Sequence, residues 1–206
     1  MSRIYKVAKS RAKRFFDVTL AALAIVILSP LIGIIALAVK ISSRGPVIFR
    51  QKRCGLNSHL FTVYKFRTMV DGAEHKGLGH EIARDDDRIT RIGNVLRNTS
   101  LDELPQLVNV IKGEMSLIGP RPMIAEQAAK LNPRQMLRHR VRPGISGWAQ
   151  VNGRNALDWD ERIELDIWYV ENWRFLLDLM IFLKTIFTIM YRDGLYGRDG
   201  VNRAIG

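Results

Sequence analysis

The 206-residue sequence lacks the features that define several common classes of protein. Its single cysteine, Cys54, excludes an internal disulfide and the CxxC pairs of zinc ribbons and thioredoxin-like sites. Its four histidines show no HExxH or HxxxH spacing, so the familiar catalytic zinc motifs are absent. Neither GxGxxG nor GxxxxGK[ST] occurs, so the sequence has neither familiar nucleotide-binding glycine loop.

Acidic residues are nearly absent from the first third of the chain. Residues 1–70 contain 13 Lys and Arg and one acid, Asp17, which gives +12, whereas residues 71–206 contain 19 basic and 19 acidic residues and sum to zero. The N-terminal basic residues flank an apolar segment, where anionic lipid headgroups would lie, and do not suggest a face that meets nucleic-acid phosphates. The sequence therefore predicts membrane lipids, and no nucleic acid, as a partner.

The apolar segment, residues 18–39, has no charged residue over 22 positions. Fully helical, it would be roughly 33 Å long, enough to cross a bilayer. Basic clusters at both ends contradict the one-sided pattern of a spanning helix, and the internal Ser29-Pro30 pair favours a bend at which the serine hydroxyl can satisfy a freed carbonyl. We expect a re-entrant helix-break-helix that enters one leaflet and returns. A kinked spanning helix and a soluble core hairpin are the alternatives.

The remaining patterns predict an α+β, mostly helical fold. A turn at Gly45-Pro46 is followed by a short predicted strand, and alternating residues at 60–66 predict a second, so the two form a predicted β-hairpin. Residues 168–191 predict an interfacial amphipathic helix, with an ordinary core helix as the alternative. We divide the chain into a basic N-terminus with the re-entrant hairpin (1–41), a catalytic domain (42–191) and a flexible tail (192–206).

Two adjacent carboxylates, Asp102 and Glu103, stand directly before Pro105 in the stretch SLDELPQL. Apolar residues at helical spacing predict a short helix at 89–96 and a second helix that stops at Gly113. Asp102 is a candidate N-cap of the second helix, and a capping box from Ser100 to Glu103 is the alternative. Both interpretations place the two carboxylates at a helix N-terminus.

Segments rich in glycine and proline carry three arginines that resemble anion clamps: Arg121, Arg142 and Arg154. Guanidinium groups match phosphate oxygens, and glycines allow backbone donors to approach them. A carboxylate among such cations can bind a divalent cation or attack phosphorus, so the sequence predicts phosphoryl chemistry.

Three motifs resemble the bacterial sugar transferase family, the small monotopic phosphoglycosyl transferases: YKFRTM (64–69), RNTSLDELPQLVNVIKGEMSLIGPRP (97–122) and VRPGISGWAQVNGRNA (141–156). The resemblance extends over about residues 14–191. It implies a re-entrant helix broken at Ser29-Pro30 and a catalytic dyad of Asp102 and Glu103 that also holds Mg²⁺. It also implies that Lys65, Arg97, Arg121 and Arg142 contact phosphates of the two substrates.

Family members transfer a sugar 1-phosphate from a UDP-sugar to undecaprenyl phosphate and release UMP. The resemblance implies that Asp102 forms an aspartyl phosphosugar, which undecaprenyl phosphate then resolves. It also implies location at the cytoplasmic face of the bacterial inner membrane, and it predicts no particular oligomeric state. Two alternatives stay open: a magnesium-dependent lipid-diphosphate phosphohydrolase, and a membrane-bound lipid-binding module without catalysis.

Overall fold

The computed structural model describes residues 10–73, 82–83, 86–191 and 201–202. The α-helices in these ranges are α1 (Arg11–Ser42), α2 (Arg91–Thr99), α3 (Gln106–Lys112), α4 (Ala125–Ala128), α5 (Trp148–Val151), α6 (Trp159–Asn172) and α7 (Phe175–Tyr191). The strands are β1 (Ile48–Cys54), β2 (Leu60–Phe66), β3 (Ile82–Ala83), β4 (Ser116–Ile118), β5 (Gly144–Ser146) and β6 (Val201–Asn202). The predicted α+β, mostly helical class is confirmed.

Helix α1 contains the whole apolar run. Ser10 caps its N-terminus by accepting a hydrogen bond from the backbone of Lys13, and the helix continues through Pro30 to Ser42. Because proline has no N–H, it leaves the carbonyl of Val26 without its usual partner. The Ser29 hydroxyl donates to that carbonyl at 2.8 Å, as predicted. Pro30 therefore lies inside one continuous helix, without the interruption that we expected, and the serine compensates for the hydrogen bond that proline removes. The re-entrant course of this segment stays a prediction.

One face of α1 packs on the rest of the domain in two places. Ala21 lies in a cluster with Leu107 and Val110 of α3, and Val39 lies in another with Phe66 and other apolar residues. Large apolar side chains on the rest of the helix surface are exposed: Phe15, Leu20, Leu23, Val26, Ile27, Ile34, Leu37 and Ile41. In the described part of the chain α1 is the one helix long and apolar enough to cross a membrane.

The predicted β-hairpin is confirmed. Strands β1 and β2 pair antiparallel with Phe49 opposite Lys65 and Arg53 opposite Phe61. After β2, the buried Arg67 fastens the hairpin to the end of α1. Its guanidinium donates to the backbone carbonyl and hydroxyl of Ser43 at 2.7 and 2.9 Å and to the carbonyl of Pro46. The hairpin and the C-terminal end of α1 are therefore joined by partly buried hydrogen bonds.

The glycines of the two predicted anion clamps bring two backbone segments together. Strands β4 and β5 pair in parallel, and Gly119 donates its N–H to the carbonyl of Ser146 at 2.8 Å. A Cβ on Gly144 would lie 2.1 Å from the backbone nitrogen of Gly119, so no other residue fits there. Gly119 and Gly144 therefore use their backbone N–H groups within this pairing, to the carbonyls of Ser146 and Pro120.

The predicted helix at 168–191 is two helices. Helix α6 ends at Asn172, and α7 begins at Phe175. Ile181 of α7 is fully buried, whereas many of its other apolar side chains are exposed: Leu176, Leu179, Phe182, Leu183, Ile186, Phe187 and Met190. Helix α7 thus contributes to the core through one narrow face, and its interfacial location stays a prediction.

A buried polar network, here called the anchor cluster, ties the start of α1 to α7. Asp178 accepts hydrogen bonds from the Lys13 ammonium at 2.6 Å, the Tyr169 hydroxyl at 2.7 Å and the Trp173 indole N–H at 3.0 Å. Lys13 also donates to the carbonyl of Ile118 in β4 at 3.0 Å. Both oxygens of the Asp178 carboxylate therefore have partners from other parts of the fold.

The predicted flexible tail at 192–206 lies largely outside the described residues. Its described part, β6, pairs antiparallel with β3.

Candidate active site

The two adjacent carboxylates lie on a tight turn between α2 and α3. Thr90 caps α2 by accepting a hydrogen bond from the N–H of Gly93 at 2.9 Å, so the helix begins two residues later than predicted. It ends at Ser100, which has a left-handed φ of 56°. The chain then forms a 3-10 turn, Leu101–Glu103, that leads through Pro105 into α3.

Neither predicted capping arrangement occurs. Asp102 lies inside the 3-10 turn and is not the N-cap of α3, and the Ser100 side chain makes no capping hydrogen bond. The backbone N–H of Glu103 bonds instead to the carbonyl of Ser100. Left-handed backbone at a non-glycine residue is costly and tends to occur at functional sites. The turn projects two consecutive carboxylates that are not used to cap the helix.

Glu103 is held by two cations from different segments. The ammonium of Lys65, near the end of β2, lies 2.6 Å from Glu103 Oε1, and the guanidinium of Arg121, which follows β4, lies 2.7 Å from the same oxygen. Burial alone would raise the pKa of Glu103, but Arg121 and Lys65 outweigh burial and hold this pKa well below its usual range. Glu103 is therefore a fixed anion.

Asp102 has a different environment from its neighbour. Its nearest cation is Lys65, whose ammonium lies 3.8 Å from Oδ2, and among the described residues its carboxylate accepts no hydrogen bond. Burial raises the pKa of Asp102 above its ordinary value, and the positive charge of Lys65 opposes that rise. A shielded carboxylate with unused lone pairs is suited to attack an electrophile or bind a cation.

Other cations surround this pair of carboxylates. Burial, followed by the charge of nearby Arg121, lowers the pKa of Arg53 to about 10 and also lowers that of Arg154. Arg154 has a left-handed φ of 51°, and its guanidinium lies 3.5 Å from the Ser100 hydroxyl. Arg97, in the last turn of α2, is 3.5 Å from the Thr68 hydroxyl. Cations gathered despite mutual repulsion and burial favour an anionic ligand.

These groups line an open cavity of about 990 Å³. Six predicted site residues line it: Lys65, Arg97, Asp102, Glu103, Arg121 and Arg154. Arg142, the seventh, is not among the lining residues. Its Nε donates to the carbonyl of Gly113 at the C-terminus of α3 at 2.8 Å. The structure therefore brings together six of the seven residues and places Arg142 at a helix end.

Sequence reasoning missed several residues of the cavity. Gln51 and Arg53 line it, and the Gln51 side chain accepts two hydrogen bonds from the Arg53 guanidinium, at 2.6 and 3.1 Å. Both residues lie on the hairpin face that carries Lys65. Strand alternation would have found them once the pairing register was known. Asn155 also lines the cavity, and the only sequence signal for it is its position next to Arg154.

The acid pair offers oxygen ligands of the type that Mg²⁺ prefers. Both Asp102 oxygens and Glu103 Oε2 accept no hydrogen bond from the described residues, because Lys65 and Arg121 both use Glu103 Oε1. The described residues contain no group of three or more His, Cys, Asp or Glu that could hold a metal. The arrangement suits an ion that takes one or two carboxylates and completes its shell with substrate phosphates and water.

Comparison with known proteins gives a family match over most of the chain. The model of the family described as bacterial sugar transferase matches residues 8–192. The uncharacterized sugar transferase EpsL of Bacillus subtilis is 44% identical over 183 residues, which cover 89% of this chain and 89% of EpsL.

Two longer relatives carry more specific names. The UDP-glucose:undecaprenyl-phosphate glucose-1-phosphate transferase of Escherichia coli is 45% identical over 85% of this chain. The UDP-N-acetylgalactosamine-undecaprenyl-phosphate N-acetylgalactosaminephosphotransferase of Aeromonas hydrophila is 46% identical over 86%. The matched segments are 39% and 43% of these relatives, so the chain spans less than half of their length.

Proposed function

Because the chain belongs to the bacterial sugar transferase family, we propose that it transfers a sugar 1-phosphate from a UDP-sugar to undecaprenyl phosphate and releases UMP. The observation that carries this proposal is the contrast within the acid pair. Asp102 accepts no hydrogen bond from the described residues and lines a cavity surrounded by cations, while Lys65 and Arg121 hold its neighbour Glu103. The names of the Escherichia coli and Aeromonas hydrophila relatives support the same donor and acceptor classes.

In the first step, an oxygen of Asp102 attacks the β-phosphorus of the UDP-sugar. The bond from that phosphorus to the oxygen bridging the two phosphates breaks, and this oxygen leaves with UMP. The product is an aspartyl phosphosugar. Phosphoryl transfer needs little acid-base help but much charge neutralisation, which the Arg121 and Arg154 guanidinium groups supply at the cavity wall.

In the second step, an oxygen of the acceptor phosphate attacks the phosphorus of the aspartyl phosphosugar. The bond between Asp102 and phosphorus breaks, which restores the carboxylate and leaves the sugar linked to the lipid through a diphosphate. The covalent intermediate allows two anionic substrates to use one cavity in turn. Glu103 stays ionised throughout, because Lys65 and Arg121 hold its charge.

We propose Mg²⁺ as the cofactor, held by Asp102 and by Oε2 of Glu103. When bound, the ion neutralises charge on the phosphate oxygens of the donor. This assignment is supported by the three carboxylate oxygens that the described residues leave without a hydrogen bond.

We place the enzyme at the cytoplasmic face of the bacterial inner membrane, with α1 re-entrant. The exposed apolar face of α1, its flanking basic residues and Pro30 support this location. Single cysteines introduced at Arg11 and Arg44 in a Cys54→Ser background would test it with a membrane-impermeant thiol reagent. Protection of both positions in intact cells is expected, and labelling of one of them would indicate a spanning helix.

Incubation with a UDP-sugar but no acceptor tests the chemistry. We expect one equivalent of UMP per enzyme and a phosphosugar adduct on Asp102, detected by mass spectrometry. Asp102→Asn should give neither, whereas Asp160→Asn, the same chemical change at an exposed residue of α6, should behave as wild type. An unmodified Asp102 during normal turnover would contradict the mechanism. A phosphohydrolase would release inorganic phosphate from a lipid diphosphate without a UDP-sugar, and a binding module would be unaffected by Asp102→Asn.

A further inference from the structure

A second, smaller cavity of about 190 Å³ adjoins the reaction cavity. The two cavities share four lining residues: Ser100, Glu103, Arg121 and Arg154. The held carboxylate and two of the arginines therefore stand at the junction of the two spaces. A ligand in the smaller cavity would have one end beside the reacting groups.

Away from the junction, none of the described residues that line the smaller cavity is charged. Its wall is formed by apolar residues of α3, β5, α5 and α7 and the segment before α3: Leu104, Leu107, Ile145, Val151 and Ile189. Its hydroxyl groups already have partners within the protein. Those of Ser146 and Thr185 lie 2.7 Å apart, and Thr188 donates to the carbonyl of Lys184. This environment suits a hydrocarbon chain and does not suit a nucleotide or a sugar.

The same cavity contains one unpaired polar group, the side-chain amide of Gln150. Its oxygen and nitrogen are both shielded from solvent and have no hydrogen-bond partner among the described residues. An unsatisfied buried polar group costs free energy unless a ligand or water completes it. An anionic oxygen on a ligand, such as a phosphate oxygen, would accept a hydrogen bond from the amide N–H.

One wall of the cavity belongs to a helix with an exposed apolar surface. Thr185, Thr188 and Ile189 of α7 line it, and α7 exposes large apolar side chains that include Leu176, at 73% exposure, and Met190, at 70%. A lipid chain that leaves the cavity along α7 would thus continue over apolar surface.

We propose that the smaller cavity binds the first isoprene units of the polyprenyl phosphate acceptor. The acceptor phosphate lies at the junction, beside Arg121 and Arg154, the Gln150 amide lines the same cavity, and the chain leaves along α7. This inference rests on the proposed transferase function and names where its acceptor binds. The cavity is smaller than the ~300–1,000 Å³ of a typical small-molecule site, so it holds only the start of a long chain.

Filling the cavity tests the proposal. Thr188→Trp places a large side chain in it, and Ile186→Trp, a matched control, adds the same ring to an exposed position of α7 outside both cavities. We expect Thr188→Trp to raise KM for undecaprenyl phosphate about tenfold or more, since losing the burial of two CH₂ groups already has that effect. Donor-only UMP release and co-sedimentation with vesicles of anionic phospholipid should match wild type, as should every measurement on Ile186→Trp.

Equal KM values for Thr188→Trp and wild type would overturn the proposal, as would an equal increase in both tryptophan variants. Should Thr188→Trp fail to fold, Ile189→Asp provides a second test, because a carboxylate in this wall repels the acceptor and should raise the same KM. A wild-type enzyme that releases no UMP from the donor alone would instead refute the transferase mechanism itself. The two failures are therefore distinguishable.

Discussion

The anchor cluster and the reaction cavity both bury carboxylates beside cations, and they differ in how completely the carboxylates are bonded. In the anchor cluster, both oxygens of Asp178 accept hydrogen bonds, from Lys13, Tyr169 and Trp173. In the cavity, neither oxygen of Asp102 accepts one from the described residues, although Lys65 is 3.8 Å away. A carboxylate whose oxygens all accept hydrogen bonds from the protein holds elements together, whereas a carboxylate without such bonds stays available to a ligand. The contrast separates a structural carboxylate from a reactive one without reference to sequence motifs.

The largest expected effect is on catalysis, from Asp102→Asn. The amide cannot form the aspartyl phosphosugar, so kcat/KM should fall by at least about 10⁴-fold, as it does for other nucleophile deletions. Stability should change little, because the carboxylate accepts no hydrogen bond from the described residues that would be lost. Acceptor-dependent UMP release and thermal unfolding measure the two effects. If the Tm fell together with the activity, Asp102 would also contribute to stability, and the distinction between it and the structural carboxylate Asp178 would not hold.

Lys13→Met should have the opposite profile. It leaves Asp178 as a buried anion without its ion-pair partner, and breaking such a pair costs about 3–5 kcal/mol of unfolding free energy. Denaturant titration would measure that loss. Adding Asp178→Asn, which removes the unpaired charge, should recover part of the lost stability. Per folded molecule, donor-only UMP release should remain, and its disappearance would show that the anchor cluster affects the chemistry.

Lys65→Met sharpens the comparison inside the cavity. The positive charge of Lys65 opposes the rise in the Asp102 pKa that burial causes, so removing it should raise this pKa further. Attack requires the ionised carboxylate, so the acid limb of the pH–rate profile should move to higher pH. We expect kcat/KM near neutral pH to fall by about 10²–10³-fold, as when one preorganised electrostatic group is removed. An unshifted acid limb would mean that Lys65 does not act on Asp102.

The smallest expected effect is that of Ser29→Ala, which removes the hydroxyl that serves the Val26 carbonyl. The loss of one hydrogen bond should reduce stability by about 1 kcal/mol. Thermal unfolding in detergent measures it. Ser42→Ala, which removes a similar hydroxyl-to-carbonyl bond near the end of the same helix, is the control for a general loss of side-chain hydrogen bonding. A much larger effect of Ser29→Ala would indicate that the Pro30 region depends on this bond.

Local patterns predicted much of the fold. Side-chain alternation predicted the β-hairpin, apolar spacing predicted α3, and proline chemistry predicted the Ser29 hydrogen bond. The continuity of α1 through Pro30 was not predicted, because local sequence does not show that the helix packs against α3 from a distant part of the chain. The 3-10 turn at Asp102 was missed because its backbone is set by Ser100, a serine in the left-handed region, which propensity does not favour.

The sequence predicted which residues form the candidate site, but it did not predict the different environments of the two carboxylates. Sequence placed Asp102 and Glu103 among arginines, but only the positions of Lys65 and Arg121 show that one carboxylate is held and the other is open. Arg142, like Arg121, stands directly before a proline in a segment that contains glycine and proline. It nevertheless bonds to the end of α3, because the strand pairing of β4 and β5 determines which arginine reaches the cavity.

The hydrogen bonds of Arg67 have a mechanical consequence for the whole molecule. Arg67 is two residues beyond Lys65 and binds the backbone at Ser43, directly after α1. A change in the tilt of α1 relative to the hairpin would have to break these partly buried bonds. They therefore couple the orientation of the long helix to the wall that presents Lys65 to the carboxylates, and in the proposed membrane location the depth of α1 would fix the height of the reacting groups.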